Sequence, residues 1–315
     1  MEPLRIVFMG TPDFAVPTLN ALINGPHEVV GVFCQPDKQK GRGQKVQMCP
    51  VKEVALAHNI NVYQPLTLRD ETAQSLIAEL QPQLVVVVAY GKILPPWLIA
   101  YPEYGCMNVH ASLLPKYRGA APIQFSILNG DTETGVTIMQ MDDGLDTGHM
   151  LEVTKTPIEP LETSGQLFDR LAQLGGSRIN EVIAGVISGE ITPVPQNDEE
   201  ATYTTKITKD MGRIDWQLDA KILSNKTRGL NPAPGCYTFV NGKRLKVWLA
   251  RPYEADKSLH GPIGTVVAVL DNSFVVATGE GLLEILEVQP ENKKRMVAGD
   301  FCRGHQVKVG LSFNE

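Results

Sequence analysis

The sequence predicts an α/β protein: a Rossmann-like, doubly wound, mostly parallel sheet followed by a C-terminal OB-like β-barrel. Three observations carry this. Short apolar runs alternate with amphipathic stretches through the first 150 residues. Those runs are apolar on both faces, as strands covered by helices on both sides must be. Beyond about residue 206 the helical stretches give way to closely spaced alternating strands with turn signals.

In chain order, LRIVFM (4–9), EVVGVF (28–33), LVVVVA (84–89) and CMNVH (106–110) are the expected strands, bounded by Gly, Pro or Asp. Between them, FAVPTLNALI, VKEVALAHN and LRDETAQSLIAEL carry apolar residues three or four apart, which lines them along one side of a helix. Strand–helix–strand alternation with right-handed crossovers builds a doubly wound sheet. GVTIMQM (135–141) and HMLEVT (149–154) read as a further strand pair around a Gly/Asp-rich turn. Thr163 and Gln166 have capping-box spacing, and Leu167, Leu171 and Leu174 continue at helical intervals, so a helix is expected over about 164–188.

SGEITPVPQNDEEATYTTK (188–206) is rich in Pro, Thr and charge without periodicity, and reads as a linker. YTFVNGKRLKVWLARP then sets Asn241-Gly242, a two-residue turn signal, between alternating strands. GTVVAVLDNSFVVATGEGLLEILEVQ adds three short strands, the pattern of a small barrel. The division expected is a catalytic domain over 1–189, a linker over 190–206 and a barrel over 207–315.

The chain has 315 residues, 43% of them hydrophobic and 20% charged, room enough for two domains with real cores. No apolar run approaches the roughly 20 residues of a membrane span. MEPLRIVFMG has no basic n-region and no long apolar h-region, so a cytoplasmic protein is expected. Cys34, Cys49, Cys106, Cys236 and Cys302 are scattered without a C-x-x-C, which favours free thiols over disulfides or a zinc site. Residues 1–205 hold 13 Lys and Arg against 23 Asp and Glu, whereas residues 206–315 hold 16 against 12. An acidic body thus carries a mildly basic module, suited to a polyanion or simply to water.

The chemistry gathers at MNVHASLLPKYRGAAPI (107–123). Strand side chains alternate, so Cys106, Asn108 and His110 share one side. In an open α/β sheet ligands sit outside the carboxyl ends of the strands, where Asn108 and His110 lie. An amide there can donate to a developing oxyanion, and an imidazole can carry a proton near neutral pH. A carboxylate that orients the ring is sought in MDDGLDTGHM (141–150), where Asp142, Asp143 and Asp146 crowd one turn. Turn chemistry alone explains three such acids equally well, and no EF-hand loop is present. There is no G-x-S-x-G, H-E-x-x-H or P-loop, and Gly10-Thr-Pro-Asp-Phe14 has one Gly where a dinucleotide fingerprint needs three. Ser112 reads as a turn or cap hydroxyl.

Asn108-x-His110-x-Ser112-Leu-Leu-Pro115, followed by Gly144-Leu-Asp146-Thr-Gly148, resembles the active-site signature of the folate-dependent formyltransferases. FMGTPDFAVPTL (8–19), CQPDKQKGRGQKVQMCPVK (34–52), VVVVAYGKILP (85–95), RGAAPIQ (118–124), YTTKITKDMGRIDW (203–216) and GLNPAPGCYT (229–238) extend the resemblance over essentially the whole chain. The resemblance implies the formyltransferase fold and transfer of a formyl group from 10-formyltetrahydrofolate to the α-amino group of methionyl initiator tRNA. It implies Asn108, His110 and Asp146 as the catalytic trio, with no metal required. It sets Ser112, Leu113, Leu114 and Pro115, with Tyr90, Gly91, Ile93 and Leu94, along the folate. Gly41 and Arg42, in the basic segment 38–45, would approach the tRNA acceptor arm. Lys206 and Lys209 would contact its phosphates, and Phe14 would help form the methionine pocket. A monomer is expected.

Two positions depart from the family's habit: Ala233 stands where NPxPG usually has Trp, and Cys49 where Ser is usual. Two rivals remain at this point. One is a sister enzyme acting on an amino sugar nucleotide, against which the basic insert and GTPDF argue. The other is a non-catalytic RNA-binding protein, against which the intact trio argues.

Overall fold

Runs without polar alternation must be covered on both faces, and in the computed structural model four of them pair as parallel neighbours, with the short strand Val62–Tyr63 added beside Glu28–Phe33. The structure describes residues 2–40, 45–256 and 258–313, with the backbone alone at 38–40 and 45. In spatial order the large sheet runs Met150–Pro157, Glu133–Gln140, Cys106–His110, Leu84–Val88, Arg5–Gly10, Glu28–Phe33, Val62–Tyr63. Glu133–Gln140 is antiparallel to Cys106–His110, so the sheet is mixed at that side. The turn 141–149 is too short for a parallel crossover and joins the last two strands as a hairpin, with Gln140 N–H donating to His149 O at 2.8 Å. Strand order reverses on either side of Arg5–Gly10, which sets a switch point at the carboxyl ends.

The helices form where apolar spacing and caps agree. Asp70 accepts from Ala73 N–H at 2.9 Å and starts Glu71–Leu80. Ser164–Ser188 opens on a reciprocal capping box: Thr163 N–H donates to Gln166 Oε1 at 3.0 Å, and Gln166 N–H to Thr163 Oγ1 at 3.4 Å. Gly175 and Gly176 interrupt that helix for a packing reason. A Cβ on Gly175 would come within 2.6 Å of Val109 Cγ1, and one on Gly176 within 2.8 Å of the Pro17 carbonyl carbon. The helix therefore lies hard against the strand that carries Asn108 and His110, on its opposite face.

The chain divides into two compact units. One comprises Met1–Gly119, Thr134–Thr156 and Phe168–Tyr203; the other comprises Ala120–Glu133, Pro157–Leu167 and Thr204–Glu315. The second holds an antiparallel sheet in the order Cys236–Val240, Lys243–Pro252, Leu282–Pro290, Phe274–Ala277, Val266–Val269. Asn241 and Gly242, at φ +50° and +72°, make the two-residue turn between its first two strands. Phe313 stacks on both Trp216 and Phe274 with ring centres 5.7 Å apart, at the middle of this core.

No closed barrel forms among the described residues. The edge of Val266–Val269 is taken by the chain end, where Val266 N–H donates to Leu311 O and Gly310 N–H to Val266 O, both at 2.8 Å. The opposite edge meets Ile214, whose N–H donates to Tyr237 O at 2.9 Å. With both edges covered locally, the outer strands do not pair with each other. Covered edges also deny other chains a strand to pair with.

All five cysteines are free and buried. Burial pushes the thiols of Cys34, Cys106 and Cys236 up to about 12 and that of Cys302 to about 11. Among the described residues no helix is long and apolar enough to cross a membrane.

Candidate active site

Cys106–His110 ends with two polar side chains on one face. Asn108 lies beside Val87 and Met139, and His110 beside Thr137. Asn108 is half-buried, and among the described residues its amide has no hydrogen-bond partner. His110 is 6% exposed. Its Nε2 lies 3.1 Å from the Tyr117 carbonyl oxygen. A carbonyl only accepts, so Nε2 carries a hydrogen, and Nδ1 carries one as well when the ring is protonated. Nδ1 faces Asp146 Oδ2 at 3.8 Å, beyond hydrogen-bond length but within ion-pair range.

The turn after His110 is fixed by buried hydroxyls. Thr137 Oγ1 donates to Ser112 O at 2.7 Å and accepts from Leu114 N–H at 3.1 Å. Ser112 Oγ donates to Lys116 O at 2.6 Å, which leaves it no freedom to act as a nucleophile. Tyr117 at φ +62° and Gly119 at φ +112° then swing the chain so that Gly119 N–H donates to Asp146 Oδ2 at 2.7 Å.

Of the three clustered acids, only Asp146 meets the imidazole. Asp142 Oδ1 accepts from Gly144 N–H at 3.0 Å and Thr147 Oγ1 at 2.7 Å, a turn-forming role. Asp143 is exposed. Asp146 itself sits at φ +55°, which costs a non-glycine residue about 1 kcal/mol and needs local support. Gly148 is packed so tightly that a Cβ would overlap the Gln140 carbonyl.

The support comes from a segment that the sequence offered only as a linker. Gln196 Nε2 donates to both Asp146 O and Gly148 O at 2.8 Å. Its Oε1 accepts from Arg118 Nε at 3.1 Å and Nη2 at 2.9 Å. Arg118, 1% exposed, also donates to Asp198 Oδ1 at 2.7 Å and the Tyr203 hydroxyl at 3.2 Å. Nothing in the sequence marks Gln196: a Pro-flanked Gln without periodicity does not announce its partner.

The other expected site residues are distributed as follows. Leu113 and Pro115 are half-buried and Leu114 buried on the turn after His110. Tyr90 follows the neighbouring strand Leu84–Val88; its carbonyl accepts from Thr11 Oγ1 and Gln35 Nε2, both at 3.1 Å. The Tyr90 hydroxyl is buried without a partner among the described residues, and burial pushes it up to about 12. Gly91 turns at φ +83°, Ile93 is 80% exposed, and Leu94 packs into the core with Val85 and Val87. Phe14 is buried, edge-on to Phe168 at 5.2 Å. Lys206 and Lys209 are exposed in the second unit. Gly41 and Arg42 lie outside the described residues. Among the described residues no three His, Cys, Asp or Glu side chains gather as a metal would require.

The family model described as "Formyl transferase" matches residues 4–183, and "Formyl transferase, C-terminal domain" matches residues 206–306. The chain is 48% identical over 312 residues to the methionyl-tRNA formyltransferase of Alkaliphilus oremlandii, covering 99% of this chain and 100% of that one. Its fold is similar to an N-formyltransferase from Helicobacter canadensis in complex with folinic acid and dTDP-3-aminofucose. That match has a TM-score of 0.68 at 18% identity, over 91% of this chain and 99% of that one. It is also similar to HypX from Aquifex aeolicus in complex with tetrahydrofolic acid, with a TM-score of 0.61 at 17% identity. There 97% of this chain spans 48% of the other.

Proposed function

The chain belongs to the formyl transferase family, and on that premise we propose the reaction it performs. It transfers the formyl group of 10-formyltetrahydrofolate to the α-amino group of methionyl initiator tRNA, giving N-formylmethionyl-tRNA for translation initiation. Near-half identity over the whole chain to a relative of that name supports the acceptor. The observation that carries the chemistry is His110 Nδ1 facing Asp146 Oδ2 at 3.8 Å, beside an Asn108 amide with no hydrogen-bond partner among the described residues.

The neutral amine attacks the formyl carbon, and the carbonyl π pair moves onto oxygen. Asn108 donates to that oxyanion. The His110 imidazolium, paired with Asp146 on one side and the Tyr117 carbonyl on the other, stabilises it through its charge. As the intermediate collapses, the carbon–N10 bond breaks and its electron pair stays on N10. The proton shed by the amine reaches N10 with Asp146 assisting through an intervening water.

Ser112, Leu113, Leu114 and Pro115 form one wall of the folate site, and Tyr90, Gly91, Ile93 and Leu94 the other. The fit is chemical: these are two turns after neighbouring strands, with apolar surface outward at Ile93, Leu113 half-buried, and firm packing beneath at Tyr90 and Leu94. Residues 207–315 bind the tRNA, helped by Lys206, Lys209, Gly41 and Arg42, and Phe14 borders the methionine side chain. The enzyme acts in the cytoplasm as a monomer.

The test offers charged initiator tRNA, an amino sugar nucleotide and glycinamide ribonucleotide separately, each with 10-formyltetrahydrofolate. Formylation of the tRNA alone is expected; turnover of either small acceptor in its place overturns the assignment. Lys206→Ala with Lys209→Ala should raise KM for tRNA severalfold and flatten its dependence on salt.

A further inference from the structure

We propose that Gln196 and Arg118 are positioning residues for the reaction, holding the Asp146 carboxylate in register with His110. This rests on the function proposed above. Asp146 stands in a left-handed conformation, at the tip of a turn that its own sequence does not rigidify beyond the Asp142 contacts. A primary amide has two N–H donors, and Gln196 directs both into this turn, one to the Asp146 carbonyl and one to the Gly148 carbonyl. The two bonds straddle Thr147 and fix the peptide groups after Asp146 and Gly148.

The circuit closes on itself. The Gln196 oxygen is held by two donors of the buried Arg118 guanidinium. Arg118 immediately precedes Gly119, whose N–H holds the Asp146 carboxylate at 2.7 Å. Main chain and side chain of Asp146 are therefore both referenced to one dipeptide, Arg118-Gly119. That dipeptide is itself anchored to the returning segment, since Arg118 N–H donates to Thr202 O at 2.8 Å and Tyr117 N–H to Thr202 Oγ1 at 2.8 Å. Tyr117 also supplies the carbonyl that holds His110 Nε2. One clamp thus sets both partners of the His–Asp pair.

Gln196→Glu isolates the clamp. It keeps the shape, strengthens the bond to Arg118 and deletes both donors to the turn. The expected result is a folded protein whose kcat falls about tenfold, with KM for folate and for tRNA unchanged within twofold. In an Asp146→Asn background, the same change should lower single-turnover formylation by less than twofold, because its target is already gone. A kcat within twofold of wild type overturns the proposal. So does an equal loss in both backgrounds, or a loss confined to KM.

Should Gln196→Glu not fold, Asp198→Ala at the exposed end of the clamp reads the same quantity. A two- to fivefold fall in kcat at constant KM supports the clamp, and an unchanged kcat overturns it. Wild-type protein that fails to formylate charged tRNA in this assay overturns the proposed function instead, so the two failures are separable.

Discussion

The two units bury polar side chains for different ends. In the first, His110, Ser112, Arg118 and Thr137 are buried, each held by hydrogen bonds around the end of one strand. In the second, Glu284 is buried to tie strands together, accepting from Arg251 Nε at 2.7 Å and Ser273 Oγ at 2.6 Å. Two of its cations lie on aromatic rings, Arg244 at 3.9 Å from the Tyr237 ring centre and Lys246 at 4.8 Å from that of Trp248. The lesson is a division of labour. The first unit uses buried polar groups to fix the geometry of one strand end, while the second uses its own, Glu284 among them, to join strands around a core of stacked rings.

The largest expected effect tests that division. His110→Ala or Asp146→Asn should lower kcat about 10³-fold, with the thermal midpoint moved by only a few degrees. Steady-state formylation and calorimetry check this, and a loss below tenfold would break the comparison. Phe301→Ala should do the reverse. It removes a buried ring beside Phe274 and His305, costing about 3 kcal/mol in urea unfolding while kcat of the folded protein stays within threefold. Asn108→Ala should lower kcat about 10²-fold with little change in stability.

The smallest effect is a pH dependence in the first unit. Arg178 donates to Glu152 Oε1 at 2.7 Å and Oε2 at 2.9 Å and holds that carboxyl below its ordinary value. A depressed folded value means stability that is present above the unfolded carboxyl's range and lost as pH falls through the folded one. Glu152→Gln should therefore flatten the fall in thermal midpoint below about pH 4, by an amount worth about 0.5 kcal/mol.

Much of the fold was legible because local signals and packing agreed. CMNVH and EVVGVF are strands over the spans read from their composition, and Thr163 with Gln166 caps the helix 164–188 as its spacing demands. Asn241-Gly242 turns where a two-residue hairpin must. The pair Asn108 and His110 was legible from strand alternation alone. The choice of Asp146 among three acids was open in the residue pattern, because the deciding contact comes from Gly119, far away in the chain. Residues 190–206 were illegible for a related reason. Periodicity reports a face that packs against a core, whereas Gln196 and Thr202 act by hydrogen bonds to backbone, which leave no repeat in the sequence.

The burial of all five cysteines has a practical consequence. A cysteine introduced in place of exposed Lys206 would be the chain's sole surface thiol, so a maleimide dye would attach there alone. Under the proposed function, fluorescence from that position would report the arrival of a tRNA in real time, without first stripping the protein of its own cysteines.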